Sequence, residues 1–317
     1  MDSSRQSRFP IYSGFRLGKI LPSLKQRKAW TPYLYLTPAL LILIFVFLYP
    51  ILDLLRLSRF RVITYDQMVY TGWSNYLSLF RDPFFKQAIL GNIKLFLTVP
   101  ILVILSIIFA SLLYEQIGGW RVYRALVFLP YVLAIPVVSI TWRHMLRLDG
   151  IVNTSLRQVG LPNLALDWLG DPRIAMLTVA GVIVWKELGF GIILFLARLL
   201  SSPIEVIEAA RLDGANWWQQ VRHIHIPELR GVIEFYTVLE LITMLSWVFS
   251  YVYSMTSGGP ANSTLVLEFF IYRKSFGFGA GGGRQLGLAA AVSVILLIAV
   301  LVFIFILTWV ERRAQQD

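Results

Sequence analysis

Cysteine is absent from the 317-residue chain, which excludes disulfides and thiol chemistry. Charged side chains are scarce, at 15% against 57% hydrophobic residues, so a soluble core is not the organising feature. Several apolar runs exceed the roughly 20 residues that a helix needs to cross a bilayer. The chain reads as an all-α, polytopic membrane protein. No internal repeat is visible. The phosphate-binding pattern G-x-x-x-x-G-K-[ST] is missing, so the chain is not expected to hydrolyse ATP. Gly277, Gly279, Gly281, Gly282 and Gly283 cluster before Arg284 without a lysine-serine partner, and phosphate binding is not expected there. Histidine is equally sparse. His223 and His225 flank Ile224 with no third ligand nearby, and His144 stands alone, so no metal site is expected. No catalytic residue is expected either.

The net charge is +11. In a soluble protein that excess would suggest nucleic acid. In a membrane protein, cytosolic basic segments and anionic lipid account for it, and no nucleic-acid partner is expected. Residues 1–33 form a basic tail with Arg5, Arg8, Arg16, Lys19, Lys25, Arg27 and Lys28 against Asp2 alone. A cleaved signal peptide is not expected, because the next apolar run is too long and lacks a small-residue cleavage site. The transmembrane domain, 34–317, is expected to contain six spans, at about 34–55, 88–114, 123–145, 173–199, 232–255 and 286–310. Between them lie three expected external segments, 58–86, 147–172 and 256–285.

One long polar stretch interrupts this pattern, at 201–231. Ser202, Pro203 and Glu205 suggest an S-x-x-E capping box opening a helix over 203–212. Asp213-Gly214 reads as a sharp turn, because glycine takes positive φ freely. A second short helix is expected over 215–225, ended by Pro227. On physical grounds alone this is an amphipathic helical hairpin that could lie on the membrane.

The stretch also resembles a known motif. Glu208-Ala209-Ala210, Asp213-Gly214-Ala215 and Ile224-His225-Ile226-Pro227 are similar to the EAA loop of binding-protein-dependent ABC importer permeases. Gly231 departs from the second proline common there. Phe128-Leu129-Pro130, Trp142-Arg143, Gly150-Ile151-Val152-Asn153, Trp168-Leu169, Trp185-Lys186 and Thr256-Ser257-Gly258-Gly259-Pro260 follow in the order seen in sugar permeases. The last run resembles the MalF- or UgpA-like permease of a sugar importer rather than its MalG-like partner. The resemblance implies a type I importer fold and a cytosolic coupling helix, with Glu208, Ala209, Ala210, Asp213, Gly214 and Ala215 meeting the ATPase. It further implies a MalG-like second permease, two cytosolic ABC ATPases holding ATP and magnesium, and an external solute-binding protein. No cofactor is expected in this chain. The implied place is the cytoplasmic (inner) membrane, with both termini cytosolic. The basic tail beside the first span gives the same orientation.

Ionisable groups inside a bilayer are costly and usually face a cavity or partner. Lys94, Arg143, Lys186, Glu187, Glu234 and Glu240 qualify by position, and snorkelling near span ends is the competing reading for Lys94, Arg143, Lys186 and Glu234. Glu187 and Glu240 lie deeper. In the fifth span Tyr236, Glu240, Thr243, Trp247, Ser250 and Ser254 recur every three to four residues, on one helix face. Hydroxyls, a carboxylate and an indole suit a sugar; a polar seam between helices gives the same pattern. The resemblance places the substrate path on the spans flanking the loop, which implies Glu187, Phe190, Glu240, Met244 and Trp247. The implied cargo is a sugar or oligosaccharide. A glycerol-phosphate-type solute is the close alternative, and a proton-coupled secondary carrier is a different class that would not need the loop.

Overall fold

A computed structural model describes residues 31–64, 67–116, 118–277 and 284–314. The basic residues of the tail from Arg5 to Lys28, and Gly279, Gly281, Gly282 and Gly283, lie outside the described residues. The chain divides into two compact units, Met1–Leu52 and Asp53–Asp317.

Among the described residues, four helices are long and apolar enough to cross a membrane: Tyr35–Leu57, Pro83–Tyr114, Ala175–Leu200 and Leu286–Ile306. Two bent pairs, Trp120–Val132 with Ile135–Met145 and Trp217–Ser246 with Phe249–Met255, bring the number to six. The fold is therefore an all-α membrane fold. Among the described residues its one departure is a short hairpin, β1 (Phe60–Thr64) and β2 (Gln67–Tyr70), inside a segment read from sequence only as a polar loop. Short helices Ser74–Arg81, Ile151–Gln158 and Leu267–Phe276 also occupy the segments between spans.

Proline explains where the helices depart from straight rods. In the first span a π-helical turn, Leu43–Leu48, precedes Pro50, whose missing N–H removes an i→i−4 bond. The third span bends by 97° at Leu133 and Ala134. Pro136 sits in the first turn of the following helix, where the missing donor costs nothing, and the break falls just before it. The segment expected as one span over 123–145 is two helices, Trp120–Val132 and Ile135–Met145, joined at this bend.

The fifth span breaks at Trp247, and residues distant in sequence supply the partners the backbone loses there. Asn92 Nδ2 donates to the Met244 carbonyl at 2.8 Å, and Asn92 Oδ1 accepts from the Leu267 N–H at 2.9 Å. Glu268 Oε2 accepts from the Phe249 N–H, at the start of the helix beyond the break, at 2.6 Å. Non-helical backbone at membrane depth is tolerated only where protein groups satisfy it in this way. The start of the fourth span is held differently. Asp171 accepts from the Arg173 backbone and side chain, and these bonds hold its carboxyl below the usual carboxylate range.

Glycine lets backbone approach the central helices closely. A Cβ on Gly189 would lie 2.5 Å from the Val127 carbonyl of a neighbouring helix, the small-residue contact by which membrane helices pack closely, and one on Gly91 would lie 2.0 Å from the Leu265 carbonyl, in the irregular segment before the helix Leu267–Phe276.

Candidate functional site

The loop between the fourth and fifth spans forms a helix, Ile204–Leu212, and then a turn. The Gly214 N–H bonds the Arg211 carbonyl at 3.1 Å and the Ala215 N–H bonds the Ala210 carbonyl at 2.9 Å. This pairing is a Schellman motif, and Gly214 takes the left-handed angle it requires, φ +79°. The turn expected at Asp213-Gly214 is therefore a helix C-cap.

Two details of the expected loop are corrected. Ser202 and Glu205 make no capping box: the helix begins after Pro203 with no side-chain cap, and the Ser202 hydroxyl donates to Glu228 at 2.8 Å. The capping box belongs to the second helix, where Asn216 and Gln219 bond each other's backbone N–H groups at 3.0 and 2.7 Å. Nor does Pro227 end that helix. A π-helical segment, Val221–His225, carries it into the fifth span, with Pro227 in the first turn of Ile226–Ser246. The wider turn accommodates the proline that an α-helix interior would reject.

Side chains fasten this loop to the spans. Arg211 pairs with Glu115 at the end of the second span, and Arg198 pairs with Glu228 across the loop's two roots. His225 Nδ1 meets the Ser111 hydroxyl at 2.9 Å, with the Tyr114 ring edge-on at 5.4 Å. The outward surface is left bare. Glu208, Ala209 and Asp213 are exposed, and Ala210 and Ala215 are partly so. Leu212 is 89% exposed and Trp218 63%. Glu208 has no ion pair or side-chain hydrogen bond among the described residues. A Cβ on Gly214 would meet nothing within 4 Å among the described residues, so a larger residue there is strained by φ and not by a clash with them.

The second region lies at the break of the third span. A cavity of about 490 Å³ is lined by Phe128, Tyr131, Val132, Ile135, Lys186, Glu187, Thr243 and Trp247. The broken helix leaves its last carbonyls without partners. Lys186 Nζ donates to one of them, the Tyr131 carbonyl, at 3.2 Å, and lies 3.4 Å from Glu187 Oε1. The Tyr251 hydroxyl donates to the same Glu187 oxygen at 2.7 Å. The Tyr131 ring stacks on Phe190 at 5.1 Å and 19°.

The residues named for the substrate path separate into two groups. Glu187 and Trp247 line the cavity, and Trp247 is 66% exposed. Phe190 backs it through Tyr131. Glu240 and Met244 are 1% and 0% exposed and do not reach it. Glu240 is buried beside Tyr236, which in turn neighbours Ser106; the Tyr236 and Ser106 hydroxyls lie where a Cβ on Gly191 would meet them at 2.7 and 2.3 Å. Met244 Sδ faces the Thr98 hydroxyl at 3.6 Å. The expected polar face of the fifth span is thus partly cavity wall and partly seam.

Sequence reading missed Tyr131 and Asn92. For Lys186 it left snorkelling open beside a protein partner, and the structure favours the partner: the residue is 4% exposed and bound to protein on two sides. Pro136 was the available signal, because a break beside it demands a donor for the freed carbonyls.

The family model for the binding-protein-dependent transport system inner membrane component matches residues 68–316. The lactose transport system permease LacF of Rhizobium radiobacter is 34% identical over 260 residues, 80% of this chain and 86% of that protein. The sn-glycerol-3-phosphate transport system permease UgpA of Escherichia coli is 31% identical over 256 residues, 79% and 85% of the two chains. A chain of a bacterial ABC transporter that imports the acidic polysaccharide alginate shares the fold, with TM-score 0.75 and 23% identity over 90% of this chain and 96% of that one. The chain belongs to the binding-protein-dependent transport system inner membrane components, as a permease subunit of an ABC importer.

Proposed function

We propose that this permease moves a neutral sugar or oligosaccharide by alternating access, driven by ATP hydrolysis in partner subunits. It would pair with a second, MalG-like permease and with two cytosolic ATPases that carry the ATP and magnesium. A solute-binding protein would deliver the cargo from outside. Loop 201–231 would then be cytosolic, with both termini on the same side. The observation that carries the coupling role is the loop's asymmetry: fastened to the spans by Arg211 and Arg198, bare on the side of Glu208, Leu212 and Trp218.

The cavity supports the cargo class. An exposed indole offers a flat apolar face for a pyranose ring, and Lys186, Glu187 and Thr243 offer polar groups at its edge. LacF supports a saccharide and UgpA a phosphorylated polyol. The Lys186 ammonium is already paired with Glu187 at 3.4 Å, which favours the neutral saccharide.

Trp247→Ala is expected to weaken transport by about 1–3 kcal/mol, as loss of an anchoring aromatic does at interfaces. The check is uptake of lactose, maltose, raffinose and sn-glycerol 3-phosphate by the complete transporter in proteoliposomes. A higher half-saturating saccharide concentration with an unchanged subunit composition supports the reading. Uptake of sn-glycerol 3-phosphate alone would replace it with the phosphorylated solute.

A further inference from the structure

The Thr256–Pro260 run takes no part in the coupling loop or in the cavity at Lys186. It borders a separate cavity of about 450 Å³, lined by Tyr253, Phe269 and Tyr272 together with Ser257, Asn262 and Arg273. The wall is built tightly. Ser257, Ala261 and Asn262 have positive φ of 50°, 47° and 60°, conformations that L residues seldom adopt. Such strain concentrates at ligand clamps and persists only where the surroundings enforce it. At Gly258, φ +79°, a Cβ would come within 2.7 Å of the Phe269 ring, so the loop lies directly on the aromatic wall.

The lining has two chemical characters. One side is a packed aromatic group: Tyr253 lies edge-on to Tyr272 at 5.5 Å, Phe269 stacks with Tyr272 at 6.0 Å, and Tyr253 stacks with Phe249 at 5.4 Å. Tyr253 is 46% exposed, so its ring is partly open to a ligand. The other side is polar. Arg273 Nη1 donates to Asn262 Oδ1 at 2.6 Å, which fixes the amide and leaves its Nδ2 group without a partner among the described residues. Ser257 donates to the Tyr253 carbonyl at 3.1 Å and keeps lone pairs to accept. Phe249 stands two residues beyond Trp247, so aromatic side chains run along the chain from the first cavity to this one.

We propose that this cavity is a second saccharide subsite, an external vestibule that receives a sugar ring before the cavity at Trp247. A pyranose has an apolar C–H face for the Tyr253 ring and hydroxyls for Asn262, Ser257 and Arg273. The proposal rests on the saccharide reading above and on the external placement of this segment.

The test is uptake of lactose, maltose and raffinose by the complete transporter, with docking of the solute-binding protein measured on the same proteoliposomes. Tyr253→Ala and Asn262→Gly are used; glycine keeps the positive φ at 262. The expected result is a roughly tenfold rise in the half-saturating saccharide concentration, the scale of one lost anchor. Tyr253→Phe should restore the parental value, and protein docking should not change. Parental half-saturation in both variants, with Trp247→Ala impaired, would overturn the vestibule and leave the Trp247 cavity standing. Loss of protein docking with unchanged saccharide saturation would also overturn it, assigning the pocket to a protein contact. Transport of none of the three saccharides by the parental protein would overturn both readings.

Discussion

Glu208→Lys and Gly214→Val are each expected to abolish transport while the membrane spans stay folded. The two residues stand on the bare side of the loop, away from both cavities. Glu208 is exposed and has no ion pair or side-chain hydrogen bond among the described residues, and Asn216 caps the second helix, so the carboxylate is open to a basic group on another subunit. Reversing its charge removes that pair and sets like charges together, on the order of 2–5 kcal/mol if the contact is buried in the complex. Gly214 holds the Schellman turn at φ +79°. Valine is β-branched and strained there by about 1–3 kcal/mol, and relief would move the helix Ile204–Leu212 relative to its neighbour. Because no atom of the described residues fills the space beside Gly214, Gly214→Ala should be distinctly milder unless the partner surface touches that point. Co-purification of the ATPase and solute-stimulated ATP hydrolysis measure the effect. Full association and full stimulation in both variants would remove the loop from the coupling role.

Lys186→Met should destabilise the protein by about 3–5 kcal/mol, because it leaves Glu187 as a buried charge without its partner. Both side chains are nearly inaccessible, at 6% and 9%. The substitution also strips the donor from the Tyr131 carbonyl at the 97° break, and an unsatisfied carbonyl in this setting adds to the loss. Glu187→Gln added to Lys186→Met removes the orphan charge and should recover much of the stability, since replacing both members of a buried pair is far milder than removing one. Transport should not recover with it, because both groups line the cavity. Thermal unfolding of the purified complex, set beside uptake, separates the two effects. Equal stability of the single and double variants would mean that the pair is not what holds this break.

The contrast between Gly214 and Lys186 shows what could be read from sequence. Gly214, Asp213 and the helix before them are local: turn chemistry acts over a few residues, and the left-handed glycine was legible in the run Asp-Gly-Ala. That the chain carries several membrane-length helices was legible for a similar reason, because each apolar run declares its own length. The breaks within the third and fifth spans were not. Pro136 marked one of them only weakly, and Trp247 carries no break signal at all. The partners that stabilise these breaks come from far along the chain: Asn92 reaches Met244 and Leu267, and Lys186 reaches Tyr131. A period of 3.6 residues tells which residues share a helix face, but not whether that face meets a cavity or another helix. Glu240 and Trp247 share a face and ended in different surroundings. The capping box failed for the same reason. Ser202 had the right spacing to Glu205, but Glu228, brought near by the fifth span, took its hydroxyl.

The most direct test of the coupling role uses the absence of native cysteine. A single Glu208→Cys can be treated with a membrane-impermeant thiol reagent in intact cells and in inside-out vesicles, and then with a short bifunctional crosslinker in the assembled transporter. The expected result is labelling only in inside-out vesicles, a crosslink to the ATPase subunit, and loss of that crosslink with Gly214→Val added. Labelling from outside intact cells, or an assembled transporter in which position 208 never crosslinks to the ATPase, would contradict the account.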